Sequence, residues 1–211
     1  MLLPLLAIVV IVGGTAAIVA GNGHSTQTLP GGAHSQKSAS FLGSELTPPK
    51  PAPGVPLRNY LGGSRVNIAA YRGKAVLVTF LYTHCPDVCP LIAANLGVAL
   101  HLMGPQAASK VQVIAVSVDP RGDNRQTVTA FMKAHGVTGR MLYLTGSAKE
   151  LGRVWQTWGV GSERDAQQPT FINHSAAVFG VDGSGRLRTV YIGASWKPSE
   201  IAHDVPLLAA Q

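Results

Sequence analysis

Cys85 and Cys89 are the chain's only cysteines, and they stand four apart in Thr83-His84-Cys85-Pro86-Asp87-Val88-Cys89-Pro90. With no further cysteine to pair with, a disulfide scaffold is excluded, and the pair points to redox or metal chemistry. The thiolate is both the nucleophile and the metal-binding form. In a helix, an i, i+4 pair lies on one face with Cβ atoms about 6 Å apart. That spacing lets two sulfurs share one ion, or close a disulfide after a modest local adjustment. Two thiolates do not complete a structural zinc site, which takes four ligands. Cu(I) is soft and favours thiolate donors at low coordination number, and a neutral imidazole is the natural third donor.

Seven histidines compete for that role. His24 and His34 lie in a polar, loop-like stretch, and His101 and His135 fall near helix ends, where a histidine often caps carbonyls. His203 belongs to the terminal helix. His84 directly precedes Cys85, with its ring expected to point away from the sulfur. His174 stands apart, in Asn173-His174-Ser175 just before a strand; in thioredoxin-like topologies the loop entering that strand faces the cysteine-bearing helix. Spacing alone leaves it equally compatible with a ligand and with a satisfied surface histidine.

The elements that must position these residues follow from hydrophobic pattern. Ala75–Tyr82 (AVLVTFLY) is a continuous apolar run of the kind buried on both faces of a central strand. The cysteine motif follows at once, and Pro86–Met103 reads as a helix ended by Gly104-Pro105. Amides at that helix start, and its dipole, stabilise a thiolate. Val111–Val118 is a second buried strand. Asp123–His135 is helical with Gly136 as its stop, Met141–Leu144 is a short strand, and Ser147–Thr157 is a further helix. Ala176–Val181 and Leu187–Ile192 flank the turn Asp182-Gly183-Ser184-Gly185-Arg186, and Pro198–Leu208 closes the chain as a helix. A short glycine hairpin is expected at 60–66. This order predicts an α/β fold: a mixed central sheet with helices on both faces.

Residues 2–20 carry no charge and match the roughly 30 Å of a bilayer core at about 1.5 Å per helical residue. The tract, 1–21 with its flanks, reads as a membrane anchor or signal segment. Val19-Ala20-Gly21 resembles a cleavage pattern, whereas the tract's length favours retention. Residues 22–54, rich in Gly, Pro, Ser and Thr, read as a flexible linker, stiffer and extended across its closing prolines. The folded domain is expected over 55–211, as a monomer. The net charge of +7, from 17 basic against 10 acidic residues, comes without a basic run or aromatic interleaving, which argues against a nucleic-acid partner. A dispersed positive surface suits an anionic membrane face or an acidic partner.

Phe80 through Pro90, Val116-Ser117-Val118-Asp119-Pro120-Arg121, and His174-Ser175 running into Asp182-Gly183-Ser184-Gly185-Arg186 together resemble the SCO/SenC family of copper-binding cytochrome oxidase assembly proteins. The resemblance spans roughly residues 55–208, and its three residues between the cysteines differ from the two of thioredoxins. It implies a thioredoxin-like fold, with Cys85, Cys89 and His174 as copper ligands. The implied partner is cytochrome c oxidase subunit II or another copper acceptor, whose dinuclear copper site would receive metal or have its thiols maintained. The implied location is the extracytoplasmic, periplasmic side of a bacterial inner membrane. Two positions depart from the family pattern: Asn173 stands where Asp is common, and Gly122 where an acidic residue is usual.

Simpler roles are weighed beside these. A structural Cys85–Cys89 bridge would gain little from closing so short a loop. Asp87 reads as a complement to the helix dipole, Asp119 as a turn organiser as readily as a chemical group, and Trp155, Trp158 and Trp196 as packing. Three classes remain: a copper-binding chaperone, a thiol–disulfide oxidoreductase acting through the redox pair Cys85 and Cys89, and a copper- or redox-sensing interaction module. His174 separates the first two, because disulfide exchange needs only the cysteines.

Overall fold

The computed structural model describes residues 40–167 and 171–211. The anchor or signal tract, His24 and His34 lie outside the described residues. Among the described residues no helix is long and apolar enough to cross a membrane. The compact unit begins at Ser38 and ends at Gln211.

A mixed sheet forms the centre, in the order β1-β9-β8-β3-β4-β5-β2. Its strands are β1 (Ser44–Pro51), β2 (Arg58–Asn59), β3 (Ala75–Leu81), β4 (Val111–Ser117), β5 (Met141–Thr145), β8 (Ala177–Val181) and β9 (Arg186–Ile192). β3, β4 and β5 run parallel, and the other pairings are antiparallel. All seven residues of β3 are buried, as an apolar run without alternation requires of a strand covered on both faces. A separate two-stranded hairpin, β6 (Ser162–Arg164) and β7 (Ile172–His174), stands outside this sheet.

The helices are α1 (Val88–Leu102), α2 (Gly104–Ala108), α3 (Arg125–Ala134), α4 (Ala148–Thr157) and α5 (Pro198–Ala209). The register places Leu77 and Thr79 of β3 on one face with their cross-strand partners Gly180, Ala115 and, through Ala115, Tyr143. On that face Phe131 of α3 meets the ring of Tyr143, and Leu208 of α5 closes over Gly180. α1 packs against α5 on the same side. The opposite face holds Val78, Phe80 and Phe179, and Trp158 at the end of α4 packs edge-on to Phe179 and tilted on Phe80. The expected helices on both faces are therefore present.

Local sequence explains the boundaries. Asn124 caps α3 in a reciprocal box with Thr127, and Ser147 caps α4 with Glu150, each cap contributing about 1 kcal/mol. α1 buries Cys89, Ile92, Ala93, Leu96, Ala99 and Leu100 against the sheet. Gly97 is needed where this helix crosses the end of α3, because a Cβ there would come within 2.8 Å of the His135 carbonyl.

Three features differ from the sequence expectation. Ser44–Pro51, inside the stretch read as linker, is the edge strand β1 paired with β9. None of its residues is buried and it is fastened through its backbone, so hydropathy gives no sign of it. The amides of Leu42 and Gly43 donate to the buried carboxylate of Asp204 at 2.9–3.0 Å, which fixes the entry to β1. Helix α1 starts at Val88 rather than Pro86. The hairpin β6–β7 had no sequence counterpart, since its strands have only three residues each.

Candidate metal centre

β3 delivers Tyr82 and then a short loop that carries Cys85 to the start of α1. Pro86 and Asp87 stay outside the helix, so the cysteines are not an i, i+4 pair on one helical face. Instead Cys89, the second residue of α1, donates its backbone N–H to Cys85 Sγ at 3.4 Å. The sulfur thus takes up one of the amides that a helix start leaves unpaired. Asp87 occupies the capping position but makes no side-chain cap bond, and its side chain is exposed.

The hairpin brings the third group. His174 closes β7, and its Nε2 lies 3.4 Å from Cys89 Sγ. Its Nδ1 is 3.2 Å from the Ser175 carbonyl. A carbonyl only accepts, so this contact places the ring proton on Nδ1 and turns the Nε2 lone pair toward sulfur. The ring stands edge-on to Tyr82 at a centroid distance of 5.7 Å. Asn173 is exposed.

The other described histidines make different contacts. His84 is exposed and meets the Thr83 hydroxyl, His135 packs on the Phe131 ring, and His203 bonds Asp204. His101 is exposed in the last turn of α1.

The thiols are unequal. Cys85 is 8% exposed while Cys89 is wholly buried. Hydrogen bonding from the Cys89 thiol, then from the amides of Asp87 and Cys89, outweighs burial and brings the Cys85 thiol down to about 4. Its ionised partner and its own burial push the Cys89 thiol far up, with Asp123 adding in the same direction. At neutral pH the pair therefore holds one thiolate, on Cys85, and one proton, on Cys89. Burial and the neighbouring Cys85 hold the Tyr82 hydroxyl up at about 12, so it stays protonated beside the sulfur.

The supporting residues carry no motif and were missed in sequence. Asp123, read only as the start of a helix, is a buried carboxylate accepting from Thr83 N at 2.8 Å, Ser117 Oγ at 2.6 Å and Tyr143 OH at 2.8 Å. Its backbone carbonyl accepts from Tyr60 OH. Asp119 organises its turn through Arg121 N, as the sequence allowed, and also pairs with Arg164 of β6 at 2.6 Å. A Cβ at Gly122 would lie 2.3 Å from Asp119 Oδ2, so the acidic residue usual at that position does not fit this arrangement. The tryptophans pack as expected, with Trp158 and Trp196 buried and Trp155 donating to the Ser117 carbonyl.

Among the described residues, no set of three or more His, Cys, Asp or Glu side chains has the spacing of a metal site as it stands. Cys85, Cys89 and His174 are in hydrogen-bond contact, with a proton where an ion would lie. Metal–sulfur and metal–nitrogen bonds of about 2.3 and 2.0 Å put the two atoms roughly 3.4–3.8 Å apart on one ion. The 3.4 Å between Cys89 Sγ and Nε2 meets the lower end of that range, so the donor set fits a small soft ion in place of the proton.

Comparison with known proteins agrees with this architecture. Human mitochondrial SCO2 homolog is 30% identical over 141 residues, which are 65% of this chain and 52% of that protein. The chain thus spans about half the length of the curated relatives it matches. The apo Sco1 solution structure from Thermus thermophilus superposes with a TM-score of 0.63 at 30% identity, covering 81% of this chain and 95% of that one. Bradyrhizobium japonicum ScoI, solved with copper bound, gives 0.63 at 28% identity over 75% and 99% of the two chains. The fold is the thioredoxin-like α/β fold of these structures. Residues 61–209 match the family described as SCO1/SenC, and the chain belongs to that family.

Proposed function

We propose that the chain binds one Cu(I) through Cys85, Cys89 and His174 and hands it on by ligand exchange. The observation that carries this reading is the approach of His174 Nε2 to Cys89 Sγ across an otherwise buried thiol pair. Copper here is cargo. The chain's own work is to keep Cys85 ionised, to hold the Cys89 proton where the ion replaces it, and to present a neutral imidazole. The acceptor we infer is the dinuclear copper site of cytochrome c oxidase subunit II, in keeping with a family described as cytochrome c oxidase assembly proteins. The uncharged tract at 2–20 would tether the domain on the extracytoplasmic side of a membrane.

Titration of the reduced protein with Cu(I) tests this. One equivalent should bind, Cys85→Ser or Cys89→Ser should nearly abolish binding, and His174→Ala should weaken it without abolishing it, since two thiolates still hold Cu(I) linearly. X-ray absorption should show two sulfur neighbours and one nitrogen. Unchanged affinity after His174→Ala would remove the imidazole from the site.

The inequality of the thiols supports a second reading, thiol–disulfide exchange. The Cys85 thiolate attacks a partner's disulfide and forms a mixed disulfide, releasing one partner thiolate. Cys89 then attacks Cys85 Sγ, its proton leaving with the second partner thiol, and this chain is left oxidised. Disulfide exchange with a small thiol that survives His174→Ala, alongside unchanged copper binding, would favour this role.

A further inference from the structure

We infer that Arg164 is a positioning residue for His174, latching the hairpin that carries the imidazole to the loop that also holds the cysteines; the inference rests on His174 being a copper ligand. The hairpin β6–β7 shares no ladder with the main sheet, so backbone pairing does not fix its place. Ser162 lies opposite His174 in its register, and Arg164 lies opposite Ile172, two residues from the imidazole. The Arg164 guanidinium donates to Asp119 Oδ1 at 2.6 Å, and the Asp119 side chain is only 6% exposed. The neighbouring attachments are neutral and longer: Ser162 Oγ to the Val118 carbonyl at 3.3 Å, and Ile172 N to Tyr82 OH at 3.3 Å. A charge-assisted bond to a nearly buried carboxylate is the strongest of the set.

The other end of the latch reaches the cysteines. Asp119 N donates to Ser117 Oγ at 3.2 Å, and that hydroxyl donates to Asp123 Oδ2 at 2.6 Å. Asp123 Oδ1 takes the Thr83 amide, two residues before Cys85. One loop, Ser117–Asp123, therefore holds the thiol side by Asp123 and the imidazole side by Asp119. Gly122 belongs to the device, because any side chain there collides with Asp119 Oδ2 at 2.3 Å.

A double-mutant cycle on the full 211-residue chain in mild detergent, read by Cu(I) competition, tests the latch. Arg164→Ala should weaken Cu(I) binding about tenfold, the lower end of the loss seen when a partner orienting a metal ligand is removed. In the His174→Ala background the same substitution should change affinity less than twofold, because a positioning residue acts only through the group it positions. Arg164→Lys should recover part of the loss. Gly122→Ala, which displaces Asp119 without altering any charge, should reproduce the loss and keep the reading open to refutation if Arg164→Ala does not fold. An undiminished loss in the His174→Ala background would mean a direct charge or stability effect and overturn the latch. Full affinity in both Arg164→Ala and Gly122→Ala would overturn it as well. If His174→Ala alone leaves affinity unchanged, the ligand assignment itself fails and the latch falls with it, an outcome distinct from the other two.

Discussion

Cys89 Sγ and His174 Nε2 lie 3.4 Å apart although 85 residues separate them in the chain. One arrives on the first turn of a helix behind the central strand, the other at the end of a hairpin outside the sheet. Their meeting is what the proposed three-donor copper site rests on.

Copper uptake should release one proton near neutrality. Cys85, brought down to about 4, is already ionised, whereas Cys89 remains protonated until the ion displaces its hydrogen. Cu(I) affinity should then rise about tenfold per pH unit between roughly pH 7.5 and 8.5, the slope for one proton. A slope of two protons in competition titrations would mean that Cys85 is protonated in the metal-free protein.

Alkylation should distinguish the two sulfurs. At pH 6 and without metal, iodoacetamide should modify Cys85 and spare Cys89, which is wholly buried and protonated. Peptide mass spectrometry reads the site directly. Equal labelling of both cysteines in folded protein would contradict the asymmetry.

Asp123 should be among the costliest polar positions. Asp123→Ala orphans the Thr83 amide and the Ser117 and Tyr143 hydroxyls, and should cost about 3 kcal/mol or more of stability. Asp123→Asn, which keeps two of the three acceptor contacts, should cost about half as much by denaturant titration. A loss under 1 kcal/mol for the alanine variant would show that these donors find other partners.

The amino-terminal boundary is also testable. A fragment beginning at Val55 lacks β1 and leaves Asp204 without the Leu42 and Gly43 amides, whereas one beginning at Ser38 keeps both. Loss of two charge-assisted bonds and an edge pairing should cost the shorter fragment about 3 kcal/mol. Equal denaturant midpoints would mean that β1 adds nothing to the sheet's stability.

Sequence reading located what hydropathy and glycine punctuation encode. The Ala75–Tyr82 run gave β3 to within one residue, and Gly136 follows α3 where a stop was expected. The cysteines, marked by spacing, and His174, marked by its place before a strand, converge in the structure. What escaped has no periodic signature. β1 is held by its backbone and by Asp204 rather than by apolar side chains, and its prolines read as linker. The burial of Asp123 and the pairing of Arg164 with Asp119 depend on tertiary neighbours at 40 and 45 residues' distance. A charged residue beside a turn looks the same in sequence whether it is solvated or locked.

The separateness of β6–β7 from the main sheet has an evolutionary side. Strands within a ladder constrain one another, because a slip in one displaces side chains along its neighbours. A ligand mounted on an independent arm is free of that constraint. Exposed positions of the arm other than Arg164 can then change without disturbing the seven-stranded frame. Under the copper-carrier role proposed above, the choice of acceptor would then diversify on a part of the molecule that the folding of the rest does not police.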